Sequence, residues 1–191
     1  MSRQSARWTL IGIFALFAIP VIAAFLMWTG RIDWRPGELR NAGQLIEPPR
    51  QTEILTLPGG EDLAGRWVLL EWVGDRCDEA CMAEATDLRQ VRRATGRDAG
   101  RVRVAALVGP ALPVSERQAL AAIGQELVVI EDVGGVVSDT LAATGESLGL
   151  DGARRWLLDP QGLLVLAYNP ASGAGDVLED LERLLKWSKV E

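Results

Sequence analysis

A chain of 191 residues with 48% apolar residues, 24% charged residues and 20 glycines has a globular make-up, which excludes fibrous and disordered classes. The overall charge is −6, and from Asn41 onward 15 Lys and Arg stand against 24 Asp and Glu; so acidic a domain repels phosphate backbones, and no nucleic acid is expected as a partner. The chain has no histidine, so Ser-His-Asp and Cys-His hydrolysis are excluded and a structural zinc site would lack its usual ligands.

Residues 1–7 read as a short N-terminal tail. Residues 8–29, WTLIGIFALFAIPVIAAFLMWT, then run for 22 positions without a charge. As a helix such a run covers about 33 Å, enough for a hydrocarbon core of roughly 30 Å. Arg3 and Arg7 precede it, Arg31 and Arg35 follow it, and Trp8, Trp28 and Trp34 lie where aromatic belts form. The run is too long for a cleaved signal and no A-x-A-like site follows it, so an uncleaved transmembrane anchor contacting membrane lipid is expected, with a kink at Pro20. Arginines on both flanks leave its orientation undecided. Residues 30–53 hold three prolines and mixed charge without apolar periodicity, which reads as a tether to a domain over 54–191.

Within that domain strands and helices alternate. Arg66–Val73, RWVLLEWV, is an apolar run between glycines, as a strand buried on both faces requires. Helical periodicity takes over from Asp78 to about Thr95, with Cys81, Ala85, Leu88, Val91 and Thr95 on one side and Arg89, Arg92, Arg93 and Arg97 on another. Arg101–Val108 is the next strand; Ser115 with Gln118 suggests a boxed helix ending near Gly124, and ELVVIED a third strand. A short helix is expected from Val136 to about Gly145, then a hairpin turning at Asp159-Pro160-Gln161-Gly162. Asp176 with Glu179 suggests the start of a last helix with the stripe Val177, Leu181, Leu184 and Leu185, and Lys186 and Lys189 suit its C-terminal end.

The only cysteines, Cys77 and Cys81, lie four apart where the first strand of this domain gives way to its first helix. Helical i and i+4 Cβ atoms stand about 5 to 6 Å apart whereas a disulfide wants roughly 3.5 to 4.5 Å, so a bond requires Cys77 at or before the first turn. Such a bond closes five residues, worth about 2 kcal/mol by chain entropy, which makes it a poor staple and an accessible redox switch. Amides and the positive helix end favour a thiolate at Cys77, with help from Arg76 and opposition from Asp75, Asp78 and Glu79; Cys81, on the apolar stripe, suits the resolving role. The plain alternative is two small buried hydrophobes.

The element order, the C-x-x-x-C spacing in CDEAC, the strand WVLLEWV before it and the later LLDPQG turn together resemble the Sco family, membrane-anchored thioredoxin-like proteins of cytochrome c oxidase assembly. The resemblance covers roughly Ile54 to Trp187. It implies an α/β fold, a thioredoxin-like mixed sheet flanked by helices, with one N-terminal transmembrane helix. It further implies a bacterial inner-membrane protein with its soluble domain in the periplasm, reducing copper-ligand cysteines of an oxidase subunit through Cys77 and Cys81 and recharged by an unknown reductant. No cofactor is required in that reading. Alternatives are a copper carrier in which Cys77 and Cys81 ligate Cu, and an assembly scaffold without redox chemistry. The family's third copper ligand, a histidine, would fall at about Asp151, and Asp78 stands where the family usually has proline.

Three other features take the bland reading. The arginines from Arg89 to Arg103 read as solvated surface, GAGDVL as a loop before a helix, and Met82 as packing.

Overall fold

The computed structural model describes residues 3–29, 41–150 and 152–188. Two compact units divide the chain, Met1–Arg40 and Asn41–Glu191. Arg31, Trp34, Arg35, Asp151 and Lys189, which the sequence singled out, lie outside the described residues.

In the first unit α1 runs from Arg3 to Trp28, continuing through Pro20, so it takes in most of the expected N-terminal tail as well as the apolar run. Phe14, Leu16, Phe17 and Val21 are exposed along it. Among the described residues no helix is long and apolar enough to cross a membrane. The side chains of 9–11, part of the uncharged run behind the expected span, are outside that set.

In the second unit six described strands form one mixed sheet in the order β1-β6-β5-β2-β3-β4. They are β1 (Gln44–Gln51), β2 (Trp67–Gly74), β3 (Val102–Val108), β4 (Leu127–Glu131), β5 (Arg155–Leu158) and β6 (Leu163–Tyr168). β2, β3 and β4 run parallel, while β5 is antiparallel to β2, β6 to β5 and β1 to β6. The helices are α2 (Glu79–Ala94), α3 (Val114–Ala122), α4 (Val136–Leu148) and α5 (Ala174–Trp187).

Strand alternation divides the core. From β2, Trp67, Leu69 and Val73 join Leu88 and Val91 of α2 and Val177, Leu181 and Leu185 of α5 on one face. Val68 and Leu70 point the other way, to Ile54, Leu63 and Leu141 of α4. Leu69 and Leu70 are both fully buried, each contributing about 1.5–3 kcal/mol relative to exposure, which holds β2 at the centre.

Several local expectations change. The stretch 44–51, expected within the tether, is edge strand β1; Pro48 and Pro49 sit where its register against β6 shifts, between Leu45 and Arg50, a place where missing donors are tolerated. Gly43 and Ala42 before it donate to the buried Asp180 carboxylate of α5, which ties this edge to the domain. Ser115 caps nothing. Pro113 occupies the N-cap of α3 and accepts from the Arg117 amide at 3.0 Å, starting the helix before the proposed box. Asp176 lies inside the first turn of α5 and reaches back to the Gly173 amide at 2.8 Å, so the helix begins in GAGDVL itself. The hairpin turn forms as read, with Asp159 Oδ1 accepting from the Gln161 and Leu163 amides and Gly162 at φ +84°.

Candidate functional site

β2 ends at Gly74, whose φ of +75° only glycine adopts cheaply, and the chain turns through Asp75 and Arg76 into Cys77. Three contacts hold this turn to the segment after β3. Gly109 N–H donates to Gly74 O at 2.8 Å, Ala111 N–H to Asp75 Oδ1 at 3.2 Å, and Cys77 N–H to Glu116 Oε2 of α3 at 2.6 Å. Asp78 then caps α2 by accepting from the Cys81 amide at 3.0 Å.

This geometry puts Cys77 before the first turn of α2 and Cys81 within it. The two form a disulfide with Cα atoms 5.2 Å apart, within the usual range. Cys77 is 7% exposed and Cys81 2%, so the expected order of access holds but Cys77 is far less open than expected, because Val73, Leu112 and Leu88 belong to the same apolar cluster. The amides of Cys77 and Cys81 both donate to carboxylates instead of standing ready for a thiolate. Met82 packs against that cluster, as expected.

Glu71 was not singled out from the sequence. It is the one charge in WVLLEWV, it is 2% exposed, and it shares its sheet face with Leu69, Val73 and the cysteine cluster. Arg155 lies directly across from it on β5 and donates from Nε to Glu71 Oε2 at 3.1 Å. Burial pushes the Glu71 carboxyl up to about 7, against the opposing pull of Arg155. Tyr168 on β6 is next in the row, opposite Arg155, and burial followed by the Asp180 charge raises its hydroxyl well above the usual phenol range. A cavity of about 30 Å³ opens among Glu71, Glu84, Arg154, Arg155 and Tyr168. Its signal in the sequence was a lone acid in a strand otherwise made for burial on both faces.

The three arginines that α2 gives to the basic face are paired locally. Arg89 and Arg93 pair with Glu126 at 3.0 and 3.2 Å, and Arg92 Nε donates to Val102 O. A backbone hydrogen bond and the Arg89 contact hold Glu126 down at about 2. On the opposite sheet face a cavity of about 400 Å³ lies between Trp72, Trp156, Leu141 and Leu150, and among the described residues Glu146 is its only ionisable lining group.

As a donor set for copper the site offers two sulfurs, and these are bonded to each other. Among the described residues no group of three or more His, Cys, Asp or Glu side chains is placed to hold a metal ion. The position matched to the Sco histidine, Asp151, lies outside the described residues. What the arrangement supports chemically is exchange between a dithiol and a disulfide, with a carboxyl near neutrality on the same face.

The fold is shared with known proteins. Apo Sco1 from Thermus thermophilus superposes with a TM-score of 0.52 at 16% identity, over 78% of this chain and 98% of that one. Yeast Sco1 with copper bound gives 0.51 at 14% identity, over 67% and 83%, and Arabidopsis thaliana ScoI with copper bound gives 0.51 at 12%, over 67% and 89%. At these identities the likeness is one of fold. No curated protein matches the sequence. A family model, the transmembrane-like, thioredoxin-like C-terminal domain, matches residues 67–188, from the first residue of β2 to just past α5. The match takes in the cysteine pair, Glu71 and Arg155 and spans well over half of the chain, which therefore belongs to that family.

Proposed function

We propose that this chain is a Sco-like thiol-disulfide reductant, anchored in a bacterial inner membrane by residues 8–29 and acting in the periplasm on copper-ligand cysteines of a cytochrome c oxidase subunit. The observation that carries the reading is the bonding of the chain's only two cysteines to each other where β2 passes into α2. The shared fold of the Sco structures supports the choice of partner, and the 22-residue uncharged run of residues 8–29 in the sequence supports the anchor.

In the reduced protein the Cys77 thiolate attacks one sulfur of the partner's disulfide, that S–S bond breaks, and the partner's second sulfur leaves as a thiolate. Cys81, deprotonated, then attacks the Cys77 sulfur of the mixed disulfide and releases the first partner sulfur. Two electrons pass to the partner, which ends as a dithiol after taking up two protons, and Cys77–Cys81 ends as the disulfide seen here. A second dithiol protein must return the electrons, because the periplasm is oxidising. Two bonded sulfurs do not match a three-ligand copper site, so no step is routed through copper.

Replacing the resolving thiol tests the reading. Cys81→Ser in membranes should accumulate a reductant-sensitive covalent complex containing an oxidase subunit, and Cys77→Ser far less. An absence of any trapped partner, together with normal oxidase maturation in the double variant, would replace this reading with the scaffold.

A further inference from the structure

The Cys77 amide does not point at an open helix end. It donates to Glu116 Oε2 at 2.6 Å, a carboxylate brought from the first turn of α3, 39 residues along the chain. A backbone nitrogen and its own sulfur are separated by two carbons, so this contact keeps the Glu116 charge within about 7 Å of the Cys77 sulfur in any rotamer. Three other acids adjoin the site: Asp75 accepts from Ala111 N–H, Asp78 accepts from the Cys81 amide, and Glu79 lies in the first turn of α2. Arg76 adjoins Cys77 in sequence, and Arg117, next to Glu116, is turned to Glu131.

We infer that Glu116 is a positioning residue that keeps the Cys77–Cys81 pair electron-donating, by fixing a negative charge against the Cys77 amide. The inference rests on the redox reading and deepens it. A thiolate formed at Cys77 meets this charge, and the amide that would have stabilised it is already committed. The reduced form is therefore disfavoured relative to the disulfide, and the pair gives its electrons away more readily than the same cysteines beside a neutral side chain. Glu116 touches no reacting atom; it acts through the Cys77 backbone. At this distance, with an effective dielectric between the protein surface and water, one charge changes the stability of the Cys77 thiolate by roughly tenfold, and the redox equilibrium by that factor where Cys77 is ionised.

Glu116→Gln keeps an oxygen that accepts from the Cys77 amide and removes only the charge. In the full-length protein in detergent, two readouts are compared with the parent: the pH midpoint of thiolate absorbance, and the dithiol-to-disulfide ratio in glutathione buffers. The inference expects the midpoint to fall and the equilibrium, read at a pH above both midpoints where Cys77 is a thiolate, to move roughly tenfold toward the reduced form, with Glu116→Lys moving both further in the same direction. Thermal unfolding of each variant identifies any that has lost its fold, and a folded Glu116→Gln is sufficient for the test. If the parent cycles reversibly but Glu116→Gln superposes on it in both readouts, this inference falls and the redox reading stands. A parent that cannot be reduced and reoxidised at all overturns both.

Discussion

Glu71 is the group whose protonation should mark the stability of this domain most clearly. Its folded value of about 7 stands above the ordinary 4.5 because burial disfavours the carboxylate more than Arg155 favours it. The folded state therefore holds this proton more tightly than the unfolded chain does. Stability from this source is full below about pH 4.5, declines as pH rises through 7, and is lost above it. A difference of that size corresponds to about 3 kcal/mol. Glu71→Gln removes the titration while keeping the shape and an acceptor for Arg155. Urea unfolding of the 41–191 domain, disulfide intact, at steps from pH 4.5 to 8.5 should show the parent losing about 3 kcal/mol relative to the variant across that interval. With a slope near 2 kcal/mol per molar urea the relative midpoint moves by roughly 1.5 M. Parallel curves for parent and variant would refute the assignment of a near-neutral carboxyl to this position.

Other consequences follow from the same contacts. Arg155→Met leaves the Glu71 carboxylate buried without its cation, so unfolding should be easier by about 3–5 kcal/mol at pH 8.5 and by much less at pH 5, where the carboxyl keeps its proton. Leu88→Ala, at a fully buried α2 position beneath the cysteine cluster, should cost about 2–5 kcal/mol in denaturant unfolding at any pH. Reducing the Cys77–Cys81 bond should lower stability by no more than about 2 kcal/mol, measured as a shift in urea midpoint, because only five residues are closed.

The central part of the fold was legible because its signals are local and mutually consistent. The apolar run of β2, bounded by glycine, and the 3.6-residue stripe of Cys81, Ala85, Leu88 and Val91 put the cysteines at a strand-to-helix junction before any contact was known. β1 escaped because its two prolines are tolerated only at a bulged edge, and edge placement is a property of the whole sheet. Capping was misassigned at α3 and α5 for a related reason. Ser115 and Asp176 are both good N-cap residues, and the helices begin earlier at Pro113 and Gly173. In the site the identity of the pair was readable and its surroundings were not. Glu71 meets Arg155 only through the antiparallel register of β2 and β5, and Glu116 reaches the Cys77 amide only because α3 packs beside that turn. The same packing made the cysteines less accessible than helix position alone suggested.

The claim that Cys77 and Cys81 work as one exchange couple is tested most directly by equilibrating the full-length protein in detergent against graded dithiol and disulfide buffers, then counting thiols by mass after alkylation. The account predicts one reversible two-electron transition in which both cysteines gain or lose the label together while the fold persists. A disulfide that stays closed until the domain unfolds, or one that opens and does not re-form, would contradict it.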